Sequence, residues 1–168
     1  MNQELWWGLA GVDWALLGGG IAVILGGIGS AIGITIASAV VSGIVTEDGE
    51  KFGKLLPIAA MPGTQGIYGF ISAVLVLIFF GIFDGKVGLA PEAGFKVFLA
   101  CIPVGALCLV TAIYQGRTGA TAAGIVARRS EDSGKALILP ALVETYAVLA
   151  LIVTILMLLG LSQAYPVG

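Results

Sequence analysis

A single carboxylate, Glu144, interrupts an otherwise apolar run from Leu137 to Leu161. A charge at the centre of a membrane-spanning helix costs roughly 2.5 to 3.5 kcal/mol on insertion scales, so such a residue is functional by default. Other polar groups lie at a matching depth. Met61, Thr64, Gln65 and Tyr68 are offset by zero, three, four and seven residues, which places all four on one helical face. Gln115 belongs to a third apolar stretch. Gln65 is 11 residues beyond Lys54, Glu144 is 9 beyond Lys135, and Gln115 is 13 before Arg128. At about 1.5 Å per residue all three lie roughly 14 to 20 Å from one membrane face, near the middle of a hydrocarbon core about 30 Å thick. Together they offer one carboxylate, two side-chain amide carbonyls, a hydroxyl and nearby main-chain oxygen, and the chain contains no histidine. Hard oxygen donors with one negative charge suit a monovalent cation, because Ca2+ and Mg2+ ordinarily call for more charge or retained water. Sodium fits best, and protons compete for the same carboxylate. Loading with either ion neutralises Glu144 and lowers the penalty for exposing that surface to lipid.

Taken singly, these residues also have structural readings. Thr64, Gln65 and Gln115 could be interhelical hydrogen-bonding groups, typically worth about 0.6 kcal/mol per contact; their common depth with Glu144 favours a shared site. Tyr68 reads either as packing or as a phenol that hydrogen-bonds Glu144 and fixes its rotamer. Pro57, Pro62 and Pro140 kink helices, and each also frees a backbone carbonyl four residues earlier. Arg117, about three turns from a basic loop, reads as a side chain snorkelling to the membrane surface. Cys101 and Cys108, seven apart, read as small apolar packing residues.

The elements that must position these groups follow from composition. Of 168 residues, 58% are apolar and 11% charged, which marks a membrane protein. Most charges fall in three clusters, Glu47 to Lys54, Asp84 to Lys96 and Arg128 to Lys135, and leave four apolar stretches long enough to cross a bilayer. The expected fold is all-α, with four transmembrane helices and one integral domain over residues 1–168. No length remains for a soluble catalytic domain, and no GxxxxGK[ST] loop is present to hold nucleotide. The net charge of −2 matters less than its distribution. Loops 46–54 and 128–135 carry Lys51, Lys54, Arg128, Arg129 and Lys135, so the positive-inside rule puts them in the cytoplasm and both termini outside. Trp6, Trp7 and Trp14 read as an interfacial aromatic belt, and no cleavable signal peptide is expected.

The chain also repeats itself. Ser30-Ala31-Ile32-Gly33, Gly43-Ile44-Val45, a charged loop and Met61-Pro62-Gly63 are echoed by Thr111-Ala112-Ile113-Tyr114, Gly124-Ile125-Val126, a second charged loop and Leu139-Pro140-Ala141. The offset is 81 residues before the loop and 78 after it. Two tandem helical hairpins result, residues 12–84 and 94–161, the second carrying the carboxylate; Gly66 stands at the position that matches Glu144. Small residues step by four along the first helix of each hairpin: Gly18, Ala22 and Gly26; Gly29, Gly33 and Ala37; Gly116, Ala120 and Gly124. Such stripes let backbones approach closely in lipid and point to an inner layer of helices around an axis, a homo-oligomeric ring.

With Pro62-Gly63-Thr64-Gln65-Gly66-Ile67-Tyr68, Gln115 and Leu139-Pro140-Ala141-Leu142-Val143-Glu144-Thr145-Tyr146 in place, essentially the whole chain resembles the V-type ATPase proteolipid, or K subunit, in its Na+-transporting bacterial branch. The resemblance implies a non-catalytic rotor-ring subunit. It implies that Glu144 carries the ion, that Thr64, Gln65, Gln115 and the Met61 main-chain carbonyl complete its shell, and that Tyr68 orients the carboxylate. In proton-type relatives the ligands of the second helix are generally apolar. Partners implied are further copies of the chain, a stator membrane subunit, the central stalk of the soluble ATPase and lipid, with no nucleic acid. One carboxylate per four helices means fewer ions per turn, a gearing that favours pumping. The competing readings are a proton-carrying ring, a small multidrug-type secondary transporter, and an assembly protein in which Glu144 only hydrogen-bonds between helices.

Overall fold

The computed structural model describes residues 7–167, so Trp6 lies outside the described residues. Five α-helices account for most of the chain: α1 (Gly11–Glu47), α2 (Phe52–Ala60), α3 (Thr64–Phe79), α4 (Pro91–Arg128) and α5 (Ser133–Ala164). A 3-10 turn at Met61–Gly63 joins α2 to α3, so the two make one path across the membrane. Four helical segments, of 37, 31, 38 and 35 residues, are long and apolar enough to span. No strand occurs among the described residues. The fold is all-α and integral to the membrane, as the charge clustering predicts.

Breaks between helices follow local chemistry. Pro91 opens α4 at a position where its missing N–H costs nothing. Gly81 and Gly85 take left-handed φ values of 63° and 75° in the turn that reverses the chain between α3 and α4. Because α4 starts at Pro91, Lys96 belongs to its second turn and not to a loop, and there it bonds Glu92 and the Tyr165 hydroxyl, each at 2.6 Å.

The most extensive contact joins α1 to α4. They run parallel: Gly18 faces the Phe98 Cα, Gly29 the Leu109 Cα, and Gly33 the Ala112 carbonyl. A Cβ added at Gly18 or Gly29 would stand 2.7 Å from those Cα atoms, closer than packed atoms come. Without a water-driven force between helices, this close approach is what joins them. The third stripe departs from the sequence expectation. Gly116 packs on Gly33, but Ala120 is only half-buried and Gly124 is exposed, while Gly119, Ala122 and Ala123 are buried instead. A step of four residues gains about 40° on a helix of 3.6 residues per turn, so over two steps the stripe rotates away from α1. Gly116→Leu is therefore expected to force α1 and α4 apart and lower the thermal midpoint in detergent, with an overpacking cost of about 1 to 3 kcal/mol or more. A wild-type midpoint would show that the contact adapts.

α3 packs on α1 and α5 on α4, forming a second layer that presents Ile67, Phe70, Leu142, Tyr146 and Leu149 outward. Large apolar side chains exposed at this density are suited to lipid or to a further subunit. Cys101 and Cys108 are free thiols buried in the core with Val97 and Val104, as expected of packing residues.

At one end the two basic loops meet, with Lys51 Nζ donating to the Ala127 carbonyl and Lys54 Nζ to Ser130 Oγ, both at 2.8 Å. At the other end Lys86 Nζ reaches the Val167 carbonyl, and Trp7, Trp14, Phe95 and Phe98 stack edge to face or in parallel. The described tryptophans thus sit at one depth, at the end of the molecule opposite the basic loops.

Candidate functional site

Glu144 lies on α5 about three turns past the helix's start, half-buried at the edge where α3 and α5 meet. Tyr68 on α3 donates its phenol hydrogen to Glu144 Oε1 at 2.7 Å. Gln115 on α4 approaches the other oxygen, Oε2, with its amide nitrogen at 3.4 Å. That same nitrogen donates to the Pro140 carbonyl at 3.1 Å, and Gln115 Oε1 accepts from Gln65 Nε2 at 2.7 Å. The chain of bonds continues to Thr64, whose hydroxyl faces Gln65 Oε1 at 3.3 Å and donates to the Met61 carbonyl at 2.9 Å. Gln65 and Gln115 are both fully buried. Three helices therefore converge at one depth, and Met61, Thr64, Gln65, Tyr68, Gln115 and Glu144 all belong to one connected polar cluster.

The cluster differs from the sequence reading in three respects. Met61, Thr64, Gln65 and Tyr68 do not share a continuous α-helix, because Met61–Gly63 tighten into a 3-10 turn. Gln115 turns its donor, not its carbonyl, toward Glu144, since a carboxylate only accepts. Pro140, expected to kink its helix and to free a carbonyl four residues earlier, leaves α5 unbroken and offers its own carbonyl to Gln115. The sequence holds no signal for that last contact, because every residue has a carbonyl and only the approach of α4 selects this one. Arg117 stands outside the cluster, exposed, with its guanidinium 5.3 Å from the Tyr114 ring centre.

The matched position in the first hairpin is built differently. Gly66 donates its backbone N–H to Ser30 Oγ at 2.8 Å, and a Cβ there would stand 3.2 Å from that oxygen. Ser30 sits among the small residues of α1, and the sequence distinguishes it only as a marker of the repeat.

The family of ATP synthase C subunits matches this chain twice, over residues 17–76 and again over residues 98–157. The chain belongs to this family. The K subunit of the V-type sodium ATPase of Enterococcus hirae is 34% identical to it over 150 residues, covering 89% of this chain and 93% of the relative. The K subunit of the A-type ATP synthase of Methanocaldococcus jannaschii is 38% identical over 147 residues, covering 88% of this chain and 62% of the relative. This protein is thus a V/A-type rotor-ring proteolipid, a non-catalytic, multi-pass membrane protein that assembles as a ring with the other subunits of the ATPase. Both matched segments of the proteolipid cover an inner helix and the outer path after it, and only the second contains a carboxylate at the cluster.

Proposed function

We propose that this ring protein binds Na+ at Glu144 and carries it across the membrane as the ring turns, driven by ATP hydrolysis in partner subunits. The observation that supports it best is the gathering of the Thr64 hydroxyl, Gln65, Gln115 and the Met61 carbonyl beside Glu144, with Gln65 bonded to Gln115 and Gln115 reaching the carboxylate. These are hard oxygen groups with a single charge, the donor set that a monovalent cation takes. A side-chain amide offers either nitrogen or oxygen by a half-turn about its last bond, so Gln65 and Gln115 can each present Oε1 to a cation. The Enterococcus relative, which belongs to a sodium ATPase by name, supports the same ion.

The steps follow from charge. Na+ neutralises Glu144, and the loaded face of α3 and α5 can then pass through lipid. Tyr68 holds Glu144 Oε1, so the carboxylate keeps one rotamer while the ion enters or leaves at Oε2. A stator membrane subunit with its own cation takes the place of the ion and releases it, and the central stalk turns the ring. In this reading the hairpins of residues 12–84 and 94–161 act as one unit with one ion. The loops at 46–54 and 128–135 face the cytoplasm, and both termini face outward.

Carbodiimide labelling of Glu144 in the assembled protein, at fixed pH and rising Na+, tests the proposal. Protection at millimolar Na+ or below, weakened in Thr64→Ala, is the expected result. Labelling that follows pH and ignores Na+ would assign the ring to protons.

A further inference from the structure

The α3 helix, which carries half of the cluster, begins without a cap of its own. Its N-cap is Gly63, which has no side chain, and the Thr64 N–H is taken by the Met61 carbonyl of the preceding 3-10 turn. A capping side chain ordinarily accepts from the second or third residue of the helix. Here the third residue is Gly66, and its N–H goes to Ser30 Oγ of α1 at 2.8 Å. Ser30 is thus a cap supplied from the neighbouring helix, and it is 7% exposed.

The residues on either side of Ser30 hold the same turn. A Cβ at Gly26 would stand 2.7 Å from the Gln65 carbonyl, and one at Gly33 would stand 2.7 Å from Pro62 Cβ. Gly26, Ser30 and Gly33 therefore form a trough in α1 that receives Pro62 to Gly66, the segment that contains Thr64 and Gln65. Their counterparts in the repeat are Leu107, Thr111 and Tyr114. Thr111 donates back to the Leu107 carbonyl of its own helix at 2.6 Å and bridges nothing. In that half Pro140 sits inside unbroken α5, whereas Pro62 sits in the 3-10 turn. Proline alone does not make the turn, since both halves have one at the matched place. The halves also differ at Pro57 and Gly63, matched by Lys135 and Ala141, and the trough is the difference that touches the turn from another helix.

We infer that Ser30 is a positioning residue for the ion site, holding the Met61–Gly63 turn through the Gly66 N–H so that the Met61 carbonyl, Thr64 and Gln65 face Glu144. The inference rests on the sodium reading above. The absence of a carboxylate from the first hairpin is part of the same arrangement, because a side chain at 66 would crowd Ser30.

The test is Na+ protection of Glu144 against carbodiimide in assembled rings of wild type, Ser30→Ala, Ser30→Thr and Thr111→Ala. Ser30→Ala is expected to need roughly 10-fold more Na+ for half-protection, the lower range for residues that orient a ligand. Ser30→Thr keeps the oxygen and is expected to restore protection; Thr111→Ala, which removes a buried hydroxyl that bridges nothing, is expected to match wild type. Wild-type protection in Ser30→Ala would overturn the inference alone, as would equal losses in Ser30→Ala and Thr111→Ala, which would mark a general packing effect. If Ser30→Ala rings do not assemble, Ser30→Thr still decides, since a purely steric role predicts that the larger residue is the more damaging. No Na+ protection in the wild type would remove the sodium reading and this inference with it.

Discussion

Replacing Glu144 by Gln is expected to abolish ATP-driven Na+ uptake by vesicles that contain the whole complex, while the ring still assembles. The amide is isosteric, and its oxygen can still accept from Tyr68, which now bonds Glu144 Oε1 at 2.7 Å. What is lost is the charge. Two unit charges about 4 Å apart attract by about 4 kcal/mol at the effective dielectric near a protein surface, equivalent to affinity on the order of 1,000-fold. No other carboxylate stands in the cluster to replace it, because Gly66 occupies the matched place in the first hairpin. Carbodiimide labelling should vanish in the same variant. Uptake that persisted would return Glu144 to the role of an interhelical hydrogen-bonding group and leave the ion carrier elsewhere.

The Gln65 and Gln115 pair gives the second large effect, and it separates ion binding from helix adhesion. Both side chains are fully buried and joined at 2.7 Å. Gln115→Leu strands Gln65 Nε2 and removes the donor to the Pro140 carbonyl, so stability should fall by about 1 to 3 kcal/mol, the cost of an unsatisfied buried group. Replacing both glutamines by Leu removes both partners of the 2.7 Å bond together and is expected to recover part of that loss in thermal melts, the Pro140 carbonyl still lacking its donor. Na+ protection of Glu144 should not recover. Loss of such groups typically costs a site about 10- to 100-fold in metal affinity, and the double variant lacks both amide oxygens. Should the double variant melt like wild type and bind Na+ like wild type, the two glutamines would be helix adhesion only.

Much of the fold is legible in the sequence because the bilayer imposes it. Charged residues are costly in hydrocarbon, so their clustering at Glu47 to Lys54, Asp84 to Lys96 and Arg128 to Lys135 marks the ends of the spans, which the helices bear out. Helical rise is nearly constant, and counting residues from Lys54, Lys135 and Arg128 is enough to bring Gln65, Glu144 and Gln115 to one depth. The small-residue stripes of α1 are legible for the same reason: Gly18, Gly29 and Gly33 do meet α4. The Gly116, Ala120 and Gly124 stripe misleads, because a spacing of four states which residues are near one another on a helix but not which partner the row will follow.

The site's finer geometry is not written in residue types. Pro62 and Pro140 are the same residue at matched positions, yet one lies in a 3-10 turn and the other in a continuous helix. The direction of the Gln115 amide, the choice of the Pro140 carbonyl and the bond from Gly66 to Ser30 all depend on atoms brought together from separate helices.

By itself, then, the sequence determined that this is a duplicated four-span membrane protein with one carboxylate and a set of oxygen groups at a common depth. Those properties follow from transfer energies and helical rise, which act residue by residue along the chain. Only the tertiary structure decided which donors face Glu144 and how the start of α3 is held, because hydrogen bonds act over about 3 Å. At that range the outcome depends on how closely the helices approach, and the approach of α1 to α3 and α4 is set by glycines whose partners lie about 40 to 80 residues away.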